Sequence, residues 1–359
     1  MKIYDAAIIG LGPSGLAVNK LIYDNKENEV IAFENTDIDK RDNYFGFWLT
    51  NWMTPFDELI EKKWNSWEIR NNDQNIIQTD DHHPYCVITY KNWKNFCLKT
   101  KNKINLINKK VTKYYPHKNC NQIITSDKKE YFAKKIYDSR TIKINKNEIT
   151  QQFFGINIIT DDHTFNEKKA TLMHFTNEKN VLHFIYVLPF KHNRALVEST
   201  VFSKDSFSED WYRKRINEYL NQNSIKKIHE LSFEKGIIPM FFLKEKSENH
   251  NVINIGVRGG SCKPSTGYAF SFSIRQIQLL KQSKINKVRV HKFLDRIMDD
   301  IFLNYLKKNK ENGFSFINLA KNLNGNEFQS FMMGQSTLIT KLKVIKSMPK
   351  IPLIRAMFD

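Results

Sequence analysis

Glu198 stands inside an apolar run, Ala195 to Ser203, that is separated from a second one, Val181 to Phe190, by the polar turn Lys191-His192-Asn193-Arg194. Two such runs around a short turn predict a hairpin. The period of a strand puts Leu196, Glu198 and Thr200 on one face and Val197, Ser199 and Val201 on the other. A carboxyl group buried there loses hydration, so its neutral form is favoured and it can donate a proton near neutral pH. The alternative is a solvated glutamate on the polar face of an antiparallel hairpin.

A second constellation opens the chain. The apolar run Asp5 to Ile9 stops at Gly10-Leu11-Gly12-Pro13-Ser14-Gly15 and continues as a helix-like stretch to Asn25. Gly10 permits the tight turn, Gly12 lets the backbone approach a pyrophosphate, and Gly15 lets the helix pack closely on the strand, with N–H donors at the helix start facing the anion. The next strand, Val30 to Phe33, ends in Glu34, at the separation expected of the acid that binds a ribose hydroxyl. Together these predict a dinucleotide site. Met1 to Val18 has a signal-peptide look, with Lys2 as its basic end, but Asp5 and the glycine turn argue against it.

Strand, glycine turn and helix return late in the chain. Val252 to Gly256 runs into a turn with Gly259, Gly260, Pro264 and Gly267, after which a helix begins with small residues. This second helix N-terminus suits the flavin end of FAD while the first holds the pyrophosphate. Only one complete glycine fingerprint is present, so NAD(P)H is expected to visit as a transient reductant.

The elements carrying these residues belong to a chain of 359 residues, long enough for two cores. Its net charge of +18 asks for an anionic partner, yet Lys, Asn and Ile abound in every region and no nucleic-acid motif appears. Trp48, Trp52, Trp64 and Trp67 form no repeated stacking platform, so nucleic-acid binding is not expected. The four cysteines make no CxxC pair, and the side chains of His82 and His83 diverge without a third ligand nearby, so neither a disulfide framework nor a metal site is predicted. No apolar run reaches the ~18 residues needed to cross a bilayer. The segment Lys341 to Phe358 mixes Lys341, Lys343, Lys346, Lys350 and Arg355 with large apolar side chains. It is either a membrane-surface segment or a docked helix with its lysines in water.

In order along the chain, these motifs resemble the lycopene cyclases of the bacterial β-cyclase type, within the wider group of FAD-binding proteins that includes aromatic hydroxylases and geranylgeranyl reductases. The resemblance spans nearly the whole chain. It rests on Gly10 to Gly15, Asp138-Ser139-Arg140, Gln152-Phe153-Phe154-Gly155, Tyr186 to Phe190, Leu196 to Thr200, Gly236-Ile237-Ile238-Pro239 and Pro264 to Tyr268. It implies an α/β fold: a Rossmann-type FAD-binding domain of segments 1–80, 97–160 and 245–285, an antiparallel-sheet substrate domain of 81–96 and 161–244, and a helical C-terminal region, 286–359. The implied cofactor contacts are Gly10, Gly12, Gly15, Glu34, Asp138, Arg140, Gly256, Pro264 and Gly267.

The resemblance further implies a reaction without net redox change, dependent on reduced FAD. A proton adds to the terminal double bond of lycopene or another acyclic carotenoid, the cation is attacked intramolecularly, and proton loss leaves a β ring. Glu198 is the implied acid. Where the family carries a second acid after it, this chain has Ser199, and where the family has Met-Asp, it has Met173-His174, which makes His174 a candidate for that aspartate's role. Gly256-Val257 lacks the ribose-binding Asp of the hydroxylases, which favours a cyclase. Phe153, Phe154, Tyr186, Phe190 and Tyr268 are candidates for aromatic faces around a cation. A substrate dissolved in lipid implies a cytoplasmic protein, peripheral on the inner face of the cell membrane. A hydroxylase or prenyl reductase of the same fold, or a non-catalytic membrane-associated flavoprotein, is the alternative.

Overall fold

A computed structural model describes residues 2–161, 163–179, 181–243, 251–283, 288–309 and 313–356. Met357 and Phe358 of the C-terminal segment lie outside them. The first sheet has the order β8 (Lys103–Ile107), β2 (Glu29–Phe33), β1 (Ile3–Ile9), β11 (Glu130–Asp138), β10 (Cys120–Thr125), β9 (Val111–His117), with β17 (Val252–Asn254) also on β11. Strands β8, β2, β1, β11 and β17 run parallel, and β9–β10–β11 is an antiparallel extension. Helices α1 (Pro13–Leu21), α2 (Tyr90–Leu98) and α4 (Phe270–Ser283) share one core with this sheet, built on Ile8, Leu16, Val30, Trp93 and Ile274. Parallel strands covered by helices are buried and read as unbroken apolar runs, which is the pattern of Ala6 to Ile9 and Val30 to Phe33.

The second sheet is ordered β16 (Lys227–Pro239), β12 (Thr150–Thr160), β15 (Arg194–Ser203), β14 (Leu182–Lys191), β13 (Lys169–Phe175), β5 (Ser66–Arg70), β6 (Asn75–Thr79). All neighbours are antiparallel except β13 and β5. One face is covered by α3 (Glu209–Gln222), whose N-terminus is capped by Ser208 and carries Glu209 and Asp210 in its first turn. Against the other face lie the small sheet β3 (Tyr44–Trp48), β7 (Tyr85–Thr89), β4 (Lys62–Trp64) and the C-terminal helices α5 (Phe293–Lys308), α6 (Phe314–Asn322), α7 (Gly325–Met332) and α8 (Leu338–Ser347), with α9 (Lys350–Ala356) packed on α5.

Sheet membership redraws the expected boundaries. Residues 66–79 and 150–160, expected in the FAD-binding domain, are strands of the second sheet. Conversely α2, most of which falls in the stretch 81–96 expected in the substrate domain, packs on α1 through Trp93, whose Nε1 donates to Pro13 O at 3.0 Å. The physical reason is long-range pairing: β5 joins β13 about a hundred residues away in sequence. The C-terminal helices also part from a simple docked helix with its lysines in water, because Lys341 is buried and pairs with Asp295 of α5. All four cysteines are free and buried: Cys86 in β7, Cys97 in α2, Cys120 in β10 and Cys262 in the loop before α4. Among the described residues no helix is long and apolar enough to cross a membrane.

Candidate active site

The glycine turn has the geometry its spacing predicts. Gly10 sits at φ +93°, and a Cβ on Gly15 would lie 2.0 Å from the Gly10 carbonyl oxygen, so α1 and β1 approach as only glycine permits. A Cβ on Gly12 would meet nothing within 4 Å, which leaves open space beside the start of α1, where Pro13 fills the first helical position. The Glu34 carboxylate accepts from Leu11 N–H at 2.9 Å and pairs with Arg41 at 2.8 Å. Burial pushes its pKa up, but the Leu11 N–H and the Arg41 charge outweigh this and the net direction is down. Glu34 is thus an ionised acid lodged against the turn.

Other expected cofactor contacts divide into two sets. Asp138 is fully buried at the end of β11, where Arg140 donates to both its carboxylate oxygens and Arg258 lies 3.3 Å from Oδ2. Between them Ser139 donates to the carbonyls of Ile9 and Gly10. Ser139 thus braces the glycine turn, and Asp138 and Arg140 are tied to each other beside it. A Cβ on Gly256 (φ +63°) would strike Ser14 of α1, so the second glycine segment is pressed against the first there, and a Cβ on Gly267 (φ +75°) would strike Gln151 of β12 in the second sheet. Pro264 is buried in the loop before α4. The starts of α1 and α4 border one cavity of about 330 Å³, through Pro13, Ser14, Gly267 and Phe270.

Two carboxylates face that cavity, and no Lys, Arg or His lines it among the described residues. Glu198 is in β15, with its Oε1 accepting from Thr200 Oγ1 at 2.5 Å. Glu234 is in β16, with its Oε2 accepting from Tyr44 N–H at 2.8 Å. Both pair in register with Gly155 of β12, the strand between them. Strands lie about 4.8 Å apart, so the two acids span about 10 Å between Cα atoms, and the missing side chain at Gly155 leaves the space over β12 to them. A Cβ there would already press on Glu198 Cβ at 3.2 Å. Burial pushes Glu198 up to about 7, against the opposing Thr200 hydrogen bond. Burial, then the charge of Glu198, pushes Glu234 well above the carboxylate range. Two buried acids without a counter-charge cannot both ionise, so the pair holds a proton at neutral pH.

The strand alternation predicted around Glu198 is the one observed. Leu196 enters the core beneath the small sheet, while Val197 and Val201 pack under α3. Ser199, standing where a second family acid was expected, faces α3 and bonds to His183 Nε2 at 2.8 Å. The missing acid would therefore point away from the cavity. The second carboxylate is instead Glu234, which the sequence reading passed over although it stands two residues before Gly236.

His174 corrects another expectation. Met173 lines the cavity, whereas His174 packs edge-on to Tyr219 of α3, with ring centroids 5.6 Å apart. Leu172 and Met173 both line the cavity at an irregularity of β13, and the strand then turns His174 to the α3 side, so His174 does not stand beside Glu198. Burial, aided by Arg70, lowers its pKa to about 4, which keeps it neutral. Of the candidate aromatics, Phe153, Tyr186 and Tyr268 line the cavity; Phe154 packs under α3 and Phe190 against Tyr44 and Trp64. Tyr85, not anticipated, joins Tyr186 through their hydroxyls at 2.9 Å. Burial holds Tyr85, Tyr186 and Tyr268 neutral by raising all three pKa values.

The architecture is similar to that of a geranylgeranyl bacteriochlorophyll reductase-like protein from Thermoplasma acidophilum, with TM-score 0.64 and 11% identity over 100% of this chain and 99% of that one. It is similar also to 2,6-dihydroxypyridine-3-hydroxylase from Arthrobacter nicotinovorans (TM-score 0.58, 10% identity, 86% and 92% covered) and to CtdE solved in complex with FAD (0.55, 11%, 99% and 100%). These likenesses show the class of fold, a Rossmann-type α/β architecture shared with these proteins. No curated protein matches the chain in sequence. The family model described as lycopene cyclase protein matches residues 5–357, and the chain belongs to that family.

Proposed function

We propose that the protein is a lycopene β-cyclase that closes the acyclic ends of lycopene by proton transfer, with FAD held between the starts of α1 and α4. The observation that carries this reading is the pair Glu198 and Glu234, buried without a counter-charge and facing the cavity that these helix starts border. Glu198 delivers the proton to the terminal double bond. Glu234, held by the Tyr44 N–H, stays protonated when Glu198 has given up its proton, so the pair does not carry two buried charges. Phe153, Tyr186 and Tyr268 exclude water and offer ring faces to the tertiary cation.

Gly10, Gly12 and Gly15 supply the close approach that a pyrophosphate needs, Gly12 with open space beside it, and Gly256 brings the second segment against the first. When bound in its reduced form, FAD would add negative charge near a developing cation, with NAD(P)H needed only to keep it reduced. The chain would work at the inner face of the cytoplasmic membrane, where its substrate resides. Supporting this are Lys343, Lys346 and Lys350 beside apolar side chains of α8 that lie open to solvent.

Expression in cells that accumulate lycopene, followed by pigment analysis, tests the proposal. Cyclic carotenoids should appear without stoichiometric consumption of NAD(P)H, and Gly12→Trp should strip the protein of flavin. Hydroxylated or saturated products formed with matching NAD(P)H oxidation would assign a hydroxylase or reductase instead.

A further inference from the structure

The carboxylate cavity is small for the substrate it is asked to hold. Ligand pockets for drug-sized molecules run about 300–1,000 Å³, and its 330 Å³ sits at the bottom of that range. A ring-forming end fits there, but the long polyene behind it has to lie elsewhere. A second cavity of about 810 Å³ opens among α5, α6, α7 and α8, and Thr266 lines both. Its inner wall is made by Phe316, Leu319 and Met332, all buried.

The buried charged groups at this second cavity are paired with one another, and Thr266 Oγ1 and Asp299 Oδ2 are its buried polar atoms without a hydrogen-bond partner among the described residues. Asp299 accepts from Lys263 at 2.6 Å and from Ser265 at 2.7 Å, and Lys341 pairs with Asp295. Apart from these atoms, what the inner walls offer a guest is hydrocarbon from Ile301, Phe302, Phe316, Leu319 and Met332, and an apolar space of this kind takes apolar ligands. The outer end is unusual in the opposite sense: Leu294, Ile297, Leu338, Leu342 and Ile345 line the cavity and are nevertheless 39–66% exposed. Lys346 and Lys350 stand at the same lining. Apolar side chains open to water beside lysines suit a mouth set against anionic lipid.

We propose that this helical cavity is the polyene subsite, holding the part of an acyclic carotenoid remote from the reacting end and admitting it from the bilayer side past α5 and α8. This rests on the cyclase reading for the identity of the chain, and on the two adjoining cavities for its place. Met298 lines the cavity and packs against the core behind it. Met298→Trp fills the space without touching Glu198, Glu234 or the glycine turns.

The test uses the full-length protein with its flavin and the methyl ester of trans-parinaric acid, a conjugated tetraene that fluoresces in dry surroundings and carries no charge for the lysines to hold. The parent should bind it, and Met298→Trp should weaken binding at least tenfold with flavin content and melting temperature unchanged; Met298→Phe, a smaller filling, should fall between. Lycopene in uncharged micelles should displace the probe. Equal binding by parent and both variants, no binding by the parent, or displacement only by phospholipid would overturn the proposal. A parent that cyclises lycopene yet binds the tetraene no differently from Met298→Trp refutes the subsite alone. Probe binding that is lost in Met298→Trp and displaced by lycopene, in a protein that forms no rings, refutes the cyclase reading and keeps the subsite.

Discussion

Two pairs of buried acids lie in this molecule, one on the second sheet and one on a helix, and they are built on opposite principles. Asp295 and Asp299 of α5 each meet a buried lysine, Lys341 and Lys263. Glu198 and Glu234 meet none among the described residues, only hydroxyl, amide and N–H donors and each other's field. A buried carboxylate paired with a buried ammonium fastens one element to another. A buried carboxylate without one keeps a proton available. The missing counter-charge, more than burial, separates a site that can transfer protons from an internal clasp.

The sharpest way to break this contrast is to remove the proton carrier. Glu198→Gln should lower lycopene conversion by about 10²–10⁴-fold while flavin content and melting temperature stay at parental values, and a variant that converts at the parental rate would end the assignment. On the helix, Asp299→Ala should strand the Lys263 ammonium and cost about 3–5 kcal/mol in urea unfolding. Asp299→Leu combined with Lys263→Met should recover most of that loss, since no charge is left buried.

A smaller effect concerns pH. The folded value of Glu198 lies above its ordinary 4.5, at about 7. Its contribution to stability is therefore complete below the ordinary value and lost as pH rises through the folded one. Relative to the parent, the double variant Glu198→Gln, Glu234→Gln should gain stability between about pH 5 and about pH 8, read as a shift in urea midpoint. The smallest expected effect is that of His174→Ala, which should leave conversion unchanged because the imidazole faces α3; loss of activity with an intact fold would return His174 to the mechanism.

What the sequence disclosed and what it hid follow from range. The glycine turn is local chemistry, with Gly10, Gly12 and Gly15 doing their work within six residues of chain, so spacing alone located it. The hairpin alternation was equally local. Glu234 was hidden by an inverted pattern: in β16 the apolar Ile228, Leu231, Phe233 and Ile237 are exposed while the glutamate is buried, so a reading that sends apolar residues inward sends Glu234 outward. Its partnership with Glu198 exists only through the register of two strands on β12, which no single sequence encodes legibly. The signal that could have exposed it was the acid two residues before Gly236, in a segment already marked by Gly236-Ile237-Ile238-Pro239. His174 was expected at the site only because it stands where the resemblance places an aspartate, and the irregularity of β13 that turns it towards Tyr219 is a matter of strand pairing, not of local sequence. The domain limits failed for a related reason, as β5 and β6 join a sheet whose other strands all come later in the chain.

The four buried thiols give the protein a set of internal clocks. Burial raises the Cys86 pKa to about 12 and pushes Cys97 and Cys262 up as well, so little thiolate is present and these groups react only when their surroundings open. Each reports a separate place: the small sheet, the helix over the glycine turn, the outer strands of the first sheet, and the loop of Cys262 whose neighbours Thr266 and Tyr268 wall the carboxylate cavity. Alkylation under native conditions, resolved by residue, would therefore time the breathing of each region without any introduced label. A polyene lodged beside that loop should slow the Cys262 clock and leave the other three running.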